Sequence, residues 1–217
     1  MNTCKLILFD LDGVTIDTEP LYAAGETKLF AEYGAIIPNS DWKLFRGCTE
    51  EKFYSLSMER YNITEDRSIF IKKGRDYILT EFRKKLDFMY GFKPLIQRIK
   101  NSYKIGLVTA TPEYMFNWVN KRLELDQIFE HIVHGGMTKK SKPNPEPYLL
   151  GMKKFNLPPH ETLIVEDSVH GIQAGLNAKA KVIALMGSVD VEDMPSADKI
   201  IKNLDEIDSK LIHSIFN

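Results

Sequence analysis

Residues 7–17 read I-L-F-D-L-D-G-V-T-I-D, an apolar run of Ile7, Leu8 and Phe9 that drives straight into Asp10 and Asp12. Burying a carboxylate is costly unless a partner compensates its charge, so the pattern calls for an explanation. An unbroken apolar run with no polar alternation is how a strand covered on both faces of a parallel sheet reads. Gly13 then marks where the strand gives way. Similar runs follow at 105–110 (I-G-L-V-T-A), 132–134, 162–165 (T-L-I-V) and 181–186 (K-V-I-A-L-M), with 199–202 a weaker edge candidate. Helical spacing of apolar residues fills the intervals at 93–101, 113–123, 146–155, 169–178 and 204–216, and Pro112 and Pro145 sit near helix starts. Strands alternating with helices predict an α/β fold, a doubly wound parallel sheet in a three-layer Rossmann-like core.

Residues 18–87 break that rhythm, with helical stretches in succession and no strand-like run. The stretch 19–33 closes at Gly34 as a C-terminal cap, Thr49 is placed to N-cap 50–61, and Thr64 to N-cap a long segment reaching residue 86. The expected division is a discontinuous α/β core, 1–17 with 88–217, interrupted by a helical cap domain at 18–87.

The composition excludes several classes. With 217 residues and 43% hydrophobic content the chain has enough apolar material for a sizeable core. Its 29 Lys and Arg against 30 Asp and Glu leave a net charge of −1, which gives no general pull toward nucleic acid or an anionic membrane. Cys4 and Cys48 form neither a disulfide framework nor a zinc-type spacing, as expected of a chain in a reducing compartment. No apolar run approaches the roughly 18 residues of a membrane span, and the apolar stretch before Asp10 is short for a signal peptide. The expectation is a soluble cytoplasmic protein, by default a monomer, without nucleic-acid or membrane partners.

In an open parallel sheet the ligand crevice lies beyond the carboxyl ends of the strands, where polar residues ending apolar runs converge. Asp10 and Asp12 end the first run, Thr109 the second, Glu166 and Asp167 the fourth, and Lys142 lies in the loop K-K-S-K-P-N-P after the third. Crowded carboxylates repel and take up protons unless a cation compensates. A divalent cation with oxygen ligands, Mg2+, suits this set, whereas Cys or His in zinc-like spacing is missing from these strand ends.

Taken together, D-L-D-G-V-T-I-D, Thr109, Lys142 in S-K-P-N-P and E-D-S-V-H-G-I-Q-A-G resemble the four motifs of haloacid dehalogenase-type phosphohydrolases, in order and across the whole chain. The helical insert directly after the first motif is similar to the branch that holds β-phosphoglucomutase and small sugar-phosphate phosphatases. The resemblance implies that Asp10 is a nucleophile forming an aspartyl phosphate and Asp12 a general acid and base. It implies Mg2+ held by Asp10, the Asp12 backbone carbonyl and Asp167, with Glu166 beside it. Lys142 then neutralises phosphoryl charge and the Thr109 hydroxyl holds a phosphoryl oxygen, with Gly13 and Ala110 as neighbouring substrate-binding positions. Arg46, in L-F-R-G-C, is the candidate for gripping the leaving group from a closing cap.

Each residue also has a plainer reading. Asp10 and Asp12 fit strand-end caps, Thr109 a strand-end hydroxyl, Lys142 a solvated lysine, Arg46 a surface arginine, and Glu166 and Asp167 caps of the helix near Val169. Asp17 suits bracing the turn after Gly13, His170 lies in the motif loop, and Trp42 and Trp118 suit packing. The order and placement of the motifs favour the catalytic reading. The expected activity is Mg2+-dependent hydrolysis of a small phosphorylated metabolite, a sugar or sugar-alcohol phosphate, with phosphoglycolate as a lesser option. A mutase is the alternative, although β-phosphoglucomutases carry a cap histidine where this chain has Tyr22 and an arginine where it has Glu50. A signalling receiver domain is about half as long and carries its acceptor aspartate on a middle strand; a non-catalytic binding protein would not need every catalytic position filled.

Overall fold

A computed structural model describes residues 3–45, 50–187, 192 and 194–217; Arg46 and the expected cap Thr49 lie outside the described residues. Strands β1 (Leu6–Phe9), β2 (Lys104–Val108), β3 (His131–Val133), β4 (Thr162–Glu166), β5 (Lys181–Leu185) and β6 (Lys199–Ile201) form one sheet in the order β3-β2-β1-β4-β5-β6. All neighbouring pairs are parallel, and Leu8 lies opposite Gly106 on one side and Ile164 on the other. The first strand is central, with the chain winding outward from it in both directions. Its carboxyl end is therefore the switch point of the sheet, where an open α/β fold forms its crevice.

The expected helices recur as α5 (Phe92–Ile99), α6 (Glu113–Leu123), α7 (Glu146–Phe155), α8 (Val169–Asn177) and α9 (Ser209–Phe216). Leu6 and Leu8 of β1 pack with Val108, Ile164 and Val182 of the neighbouring strands and with Tyr148, Met152 and Ile172 of α7 and α8. Phe9 meets Phe92 of α5 edge to face, 5.8 Å between centroids. All four β1 side chains are fully buried, a gross contribution of about 6–12 kcal/mol at ~1.5–3 kcal/mol each. That holds the strand's tip rigidly in place.

Among the described residues, contacts divide the chain into two compact units, Met1–Ile16 with Asp87–Asn217, and Asp17–Leu86. The second comprises α1 (Glu19–Glu32), α2 (Asn39–Phe45), α3 (Glu50–Arg60) and α4 (Arg67–Lys84). Its core gathers Leu29, Phe30, Phe45, Phe53, Tyr54, Ile63 and Phe70. Trp42 packs edge-on against Phe30 at 6.5 Å, the packing role expected of it.

Two local expectations are corrected, and one helix is added to those expected. The cap of α4 is Asp66, whose carboxylate accepts from Ser68 N and Ile69 N, instead of Thr64, because Asp66 adjoins the first turn directly. Helix α2 was not anticipated. The segment 204–216 divides at Asp208, which accepts from Leu211 N and so starts α9 afresh after a 3-10 turn at Leu204–Glu206. No described helix is long and apolar enough to cross a membrane.

Candidate active site

Asp10 lies one residue past β1, and its N–H still donates to Val165 O at 3.0 Å, so the ladder to β4 fixes its backbone. The chain then turns through Gly13, whose φ of +75° is a left-handed conformation that a side chain would disfavour. Gly13 N donates to Ile16 O, and both Thr15 N and Ile16 N donate to Leu11 O, each at 2.9 Å. The Thr15 hydroxyl donates to Asp10 O at 2.6 Å. Thr15 thus braces this turn, and Asp17, which follows it, is exposed.

At the end of β2, Thr109 is buried and its N–H donates to Val133 O. Two residues on, Thr111 points the same way. Its hydroxyl donates to Asp12 Oδ2 at 2.6 Å, and its N–H donates to Thr109 Oγ1 at 3.0 Å. The two hydroxyls are 2.7 Å apart, and since the Thr111 proton faces Asp12, Thr109 is the donor between them. Ala110, between the two threonines, is exposed.

The loop carrying Lys142 is fastened at both flanks. Lys139 N and Lys140 N donate to the Glu146 carboxylate at 2.9 and 3.2 Å, Glu146 N donates to Asn144 Oδ1, and Asn177 Nδ2 of α8 donates to Pro143 O. Buried Lys142 Nζ directs its three N–H groups to Asp10 Oδ1 (2.5 Å), Glu166 Oε1 (2.7 Å) and Val108 O (3.0 Å).

Glu166, the last residue of β4, is fully buried. Its Oε1 accepts from Lys142 and from the Tyr148 hydroxyl at 2.9 Å; its Oε2 accepts from Asp167 N, Ser168 N and Ser168 Oγ at 3.0–3.1 Å. Ser168, not Glu166 or Asp167, caps α8, with its hydroxyl accepting from Gly171 N, because it is the residue adjoining the first turn. Gly171 has a steric reason as well: a Cβ there would lie 1.7 Å from Glu166 Oε1. The glycine in V-H-G thus makes room for the glutamate in E-D-S.

Ligand oxygens of Asp10, Glu166 and Asp167, all buried, lie within 4.8 Å of one another. Burial pushes the Asp10 carboxyl up to about 8; Lys142 opposes this, while Glu166 and Asp12 reinforce it. Burial also disfavours charge on Glu166, but Lys142 and the turn donors outweigh it and keep that carboxylate ionised. For Lys142 the cost of burial is overcome by Asp10 and Glu166, so the ammonium stays charged. The Lys142 ammonium is shared between Asp10 and Glu166, with Asp167 in the same cluster. The donor set is entirely oxygen, which fits a hard divalent cation and no soft metal.

Asp10, Lys142, Glu166 and Asp167 therefore meet directly, and Asp12 and Thr109 are joined through Thr111. Gly13 shapes the turn after Asp12, with its N–H given to Ile16 O. His170 is exposed on the first turn of α8, and His134 stacks on Phe116 with centroids 5.3 Å apart. Sequence reasoning missed Thr111, Tyr148, Ser168 and Gly171. For Thr111 a signal existed, since in T-A-T the two threonines recur at the period of extended chain.

The model of the family described as haloacid dehalogenase-like hydrolase matches residues 7–185. A phosphorylated carbohydrates phosphatase from Thermotoga maritima is 30% identical over 175 residues, covering 80% of this chain and 81% of that protein. The mitochondrial (DL)-glycerol-3-phosphatase 1 of Arabidopsis thaliana is 28% identical over 211 residues, 91% of this chain and 70% of that protein. The crystal structure of β-phosphoglucomutase from Clostridium difficile shares the fold with a TM-score of 0.82 at 23% identity, covering 99% of this chain and 98% of that one.

Proposed function

The chain belongs to the haloacid dehalogenase-like hydrolases, and from that premise we propose that it is a Mg2+-dependent phosphatase for a phosphorylated carbohydrate or sugar alcohol, acting through an aspartyl phosphate. The observation that carries this reading is the Lys142 ammonium bridging Asp10 Oδ1 and Glu166 Oε1 beside Asp167, an acid-rich cluster at the switch point of the sheet. Asp10 and Asp167, with the backbone carbonyl of Asp12, would hold the cation, while Glu166 directs its oxygens to Lys142, Tyr148 and the β4–α8 turn. When bound, the cation neutralises carboxylate and phosphoryl charge, so that one anion can approach another.

The chain's own groups then divide the reaction into two displacements. An Asp10 carboxylate oxygen attacks phosphorus as the bond to the substrate oxygen breaks. Asp12, oriented by the Thr111 hydroxyl, gives its proton to that leaving oxygen. Water next attacks the phosphorus of the aspartyl phosphate, Asp12 takes up the water's proton, and inorganic phosphate leaves with Asp10 restored. Lys142 turns an N–H from Asp10 to a phosphoryl oxygen, and Thr109 turns its hydroxyl proton from Thr111 to another. The helical unit acts as the cap that excludes water and reads the leaving group, with Arg46 as its candidate contact. A reducing cytoplasm and a single chain are the expected setting.

The test is phosphate release across a panel of phosphorylated sugars, polyols and phosphoglycolate with Mg2+. Asp10→Asn lowers turnover by at least ~10^3 and chelation of the metal abolishes it; an unimpaired D10N enzyme overturns the reading. The mutase alternative predicts glucose 6-phosphate, not free phosphate, from β-glucose 1-phosphate with a bisphosphate primer. Two observations weigh against it: Glu50 is paired with Arg75 Nε and Nη2 at 2.9 and 2.7 Å, and Tyr22 is packed edge-on against Phe82 at 5.4 Å.

A further inference from the structure

We propose that Tyr148 is the positioning residue for Lys142, fixing the ammonium with its ring face and its hydroxyl where it meets Asp10. The inference rests on the phosphatase reading for its consequence in catalysis, though not for its geometry. A lysine head group is a compact charge on a flexible four-carbon stem, so its placement must come from its surroundings. The acceptors Asp10 Oδ1, Glu166 Oε1 and Val108 O account for its three donors. The tyrosine ring also faces the ammonium, with Nζ 4.7 Å from the centroid, within the range of a cation–π contact.

Tyr148 is itself immobile. It is fully buried in the first turn of α7, and its hydroxyl donates to Glu166 Oε1, the oxygen that also accepts from Lys142. Burial and the neighbouring Glu166 push the phenol well above its usual range, so it remains a donor. Ammonium, carboxylate, hydroxyl and ring therefore close a cycle in which each member constrains the next. When a phosphoryl group arrives, one N–H must leave Asp10 for a phosphoryl oxygen. The bonds to Glu166 and Val108, together with the ring face, hold the head group in place while that N–H changes partner.

Ring and hydroxyl separate by substitution. Tyr148→Phe keeps the ring and removes the hydroxyl; Tyr148→Leu removes both; Tyr148→Met fills the space with an unbranched chain if the leucine variant does not fold. With p-nitrophenyl phosphate as probe, Tyr148→Leu or Tyr148→Met is expected to lower kcat about thirtyfold with KM within about threefold, and Tyr148→Phe only about threefold. A purely structural role would move the melting temperature without that graded loss in kcat. Independently of turnover, the Lys142 side-chain protons should be shifted upfield by the ring in the NMR spectrum of the full chain, retained in Tyr148→Phe and lost in Tyr148→Leu or Tyr148→Met. Wild-type kcat in the leucine or methionine variant, or a Lys142 signal indifferent to the ring, overturns the proposal. If the wild-type protein releases no phosphate from any substrate, the phosphatase reading falls instead, and the Lys142 signal alone decides the positioning role.

Discussion

Each unit of the molecule sets a carboxylate beside a cation, and the two arrangements differ in their balance. In the helical unit, Asp41 of α2 accepts from Arg60 Nε and, at 2.9 Å, from Arg60 Nη2, with the Tyr61 hydroxyl adding a bond at 2.6 Å. The Arg60 bonds first, and Tyr61 after them, hold the Asp41 carboxyl down to about 2. One acid meets one base, and α2 is tied to the end of α3. In the sheet unit, a single ammonium serves Asp10 and Glu166 with Asp167 in the same cluster, and burial drives Asp10 up to about 8. A balanced pair is complete as architecture. Here several buried acids share the Lys142 ammonium, and such perturbed groups in a crevice mark chemistry.

Removing the shared cation should break the comparison most severely. Lys142→Met leaves Asp10 and Glu166 facing each other without a counter-charge, and breaking a buried pair from one side costs about 3–5 kcal/mol. Thermal unfolding should show most of that loss at pH 9 and less at pH 6, where Asp10 takes up a proton and relieves the repulsion. Turnover should fall by at least ~10^2 at any pH, because the phosphoryl charge loses its fixed partner. An active, equally stable variant would remove Lys142 from the centre of the site.

The next test alters no charge. Gly171→Ala brings a methyl group against Glu166 Oε1, forcing the glutamate or the first turn of α8 to shift. Core strain of this kind costs typically about 1–3 kcal/mol. The displaced Glu166 should also loosen Lys142, so kcat should fall roughly tenfold or more; Gly151→Ala, on α7 against Val108 and Leu8, should cost stability while kcat falls less. Equal effects of the two on kcat would mean that Glu166 placement does not matter to turnover.

Asp10, Asp12, Thr109, Lys142, Glu166 and Asp167 were legible in the sequence because each ends an apolar run or follows one, and parallel strands bring such ends to one edge. The alternation of elements was readable for the same reason: strands buried on both faces lack polar punctuation. What escaped has physical causes too. Tyr148 reads as one more core aromatic, and only the fold sets its ring against a lysine six positions earlier. Ser168 competes with two adjacent acids for the same cap, and geometry decides in its favour. Helix α2 is short and polar at its start, and its tie to Arg60 crosses 19 positions, beyond any local pattern.

In the helical unit the expected effects are on stability. Asp41 has its pKa lowered on folding, so its contribution is present above pH ~4 and is lost as pH falls toward about 2. Asp41→Asn should therefore lower the melting temperature at pH 7 and flatten its decline between pH 4 and 2. Phosphate release at pH 7 should stay within about twofold. A variant as impaired in turnover as Lys142→Met would show that this balanced pair also serves the site.

The smallest effect, and the one of opposite sign, concerns Glu26 on α1. Burial alone pushes its carboxyl up to about 8. Unlike Asp41, its pKa is raised on folding, so the folded chain holds a proton that the unfolded chain has released across the window from about 4.5 to about 8. Stability must then fall as pH rises through that window, because the charged form is the one that burial disfavours. Glu26→Gln keeps the shape and removes the titration. It should match the wild type near pH 5 and exceed it by on the order of 1 kcal/mol at pH 9, a gain kept modest because the side chain is only half-buried. Melting curves from pH 5 to 9 measure the difference, and parallel curves for the two proteins would show that Glu26 is not desolvated. If the stabilised variant also loses kcat at pH 7, Glu26 is a second uncompensated acid kept for function, and the contrast between the units is one of degree. If kcat is unchanged, acid surplus marks chemistry in this fold only where several carboxylates share one cation.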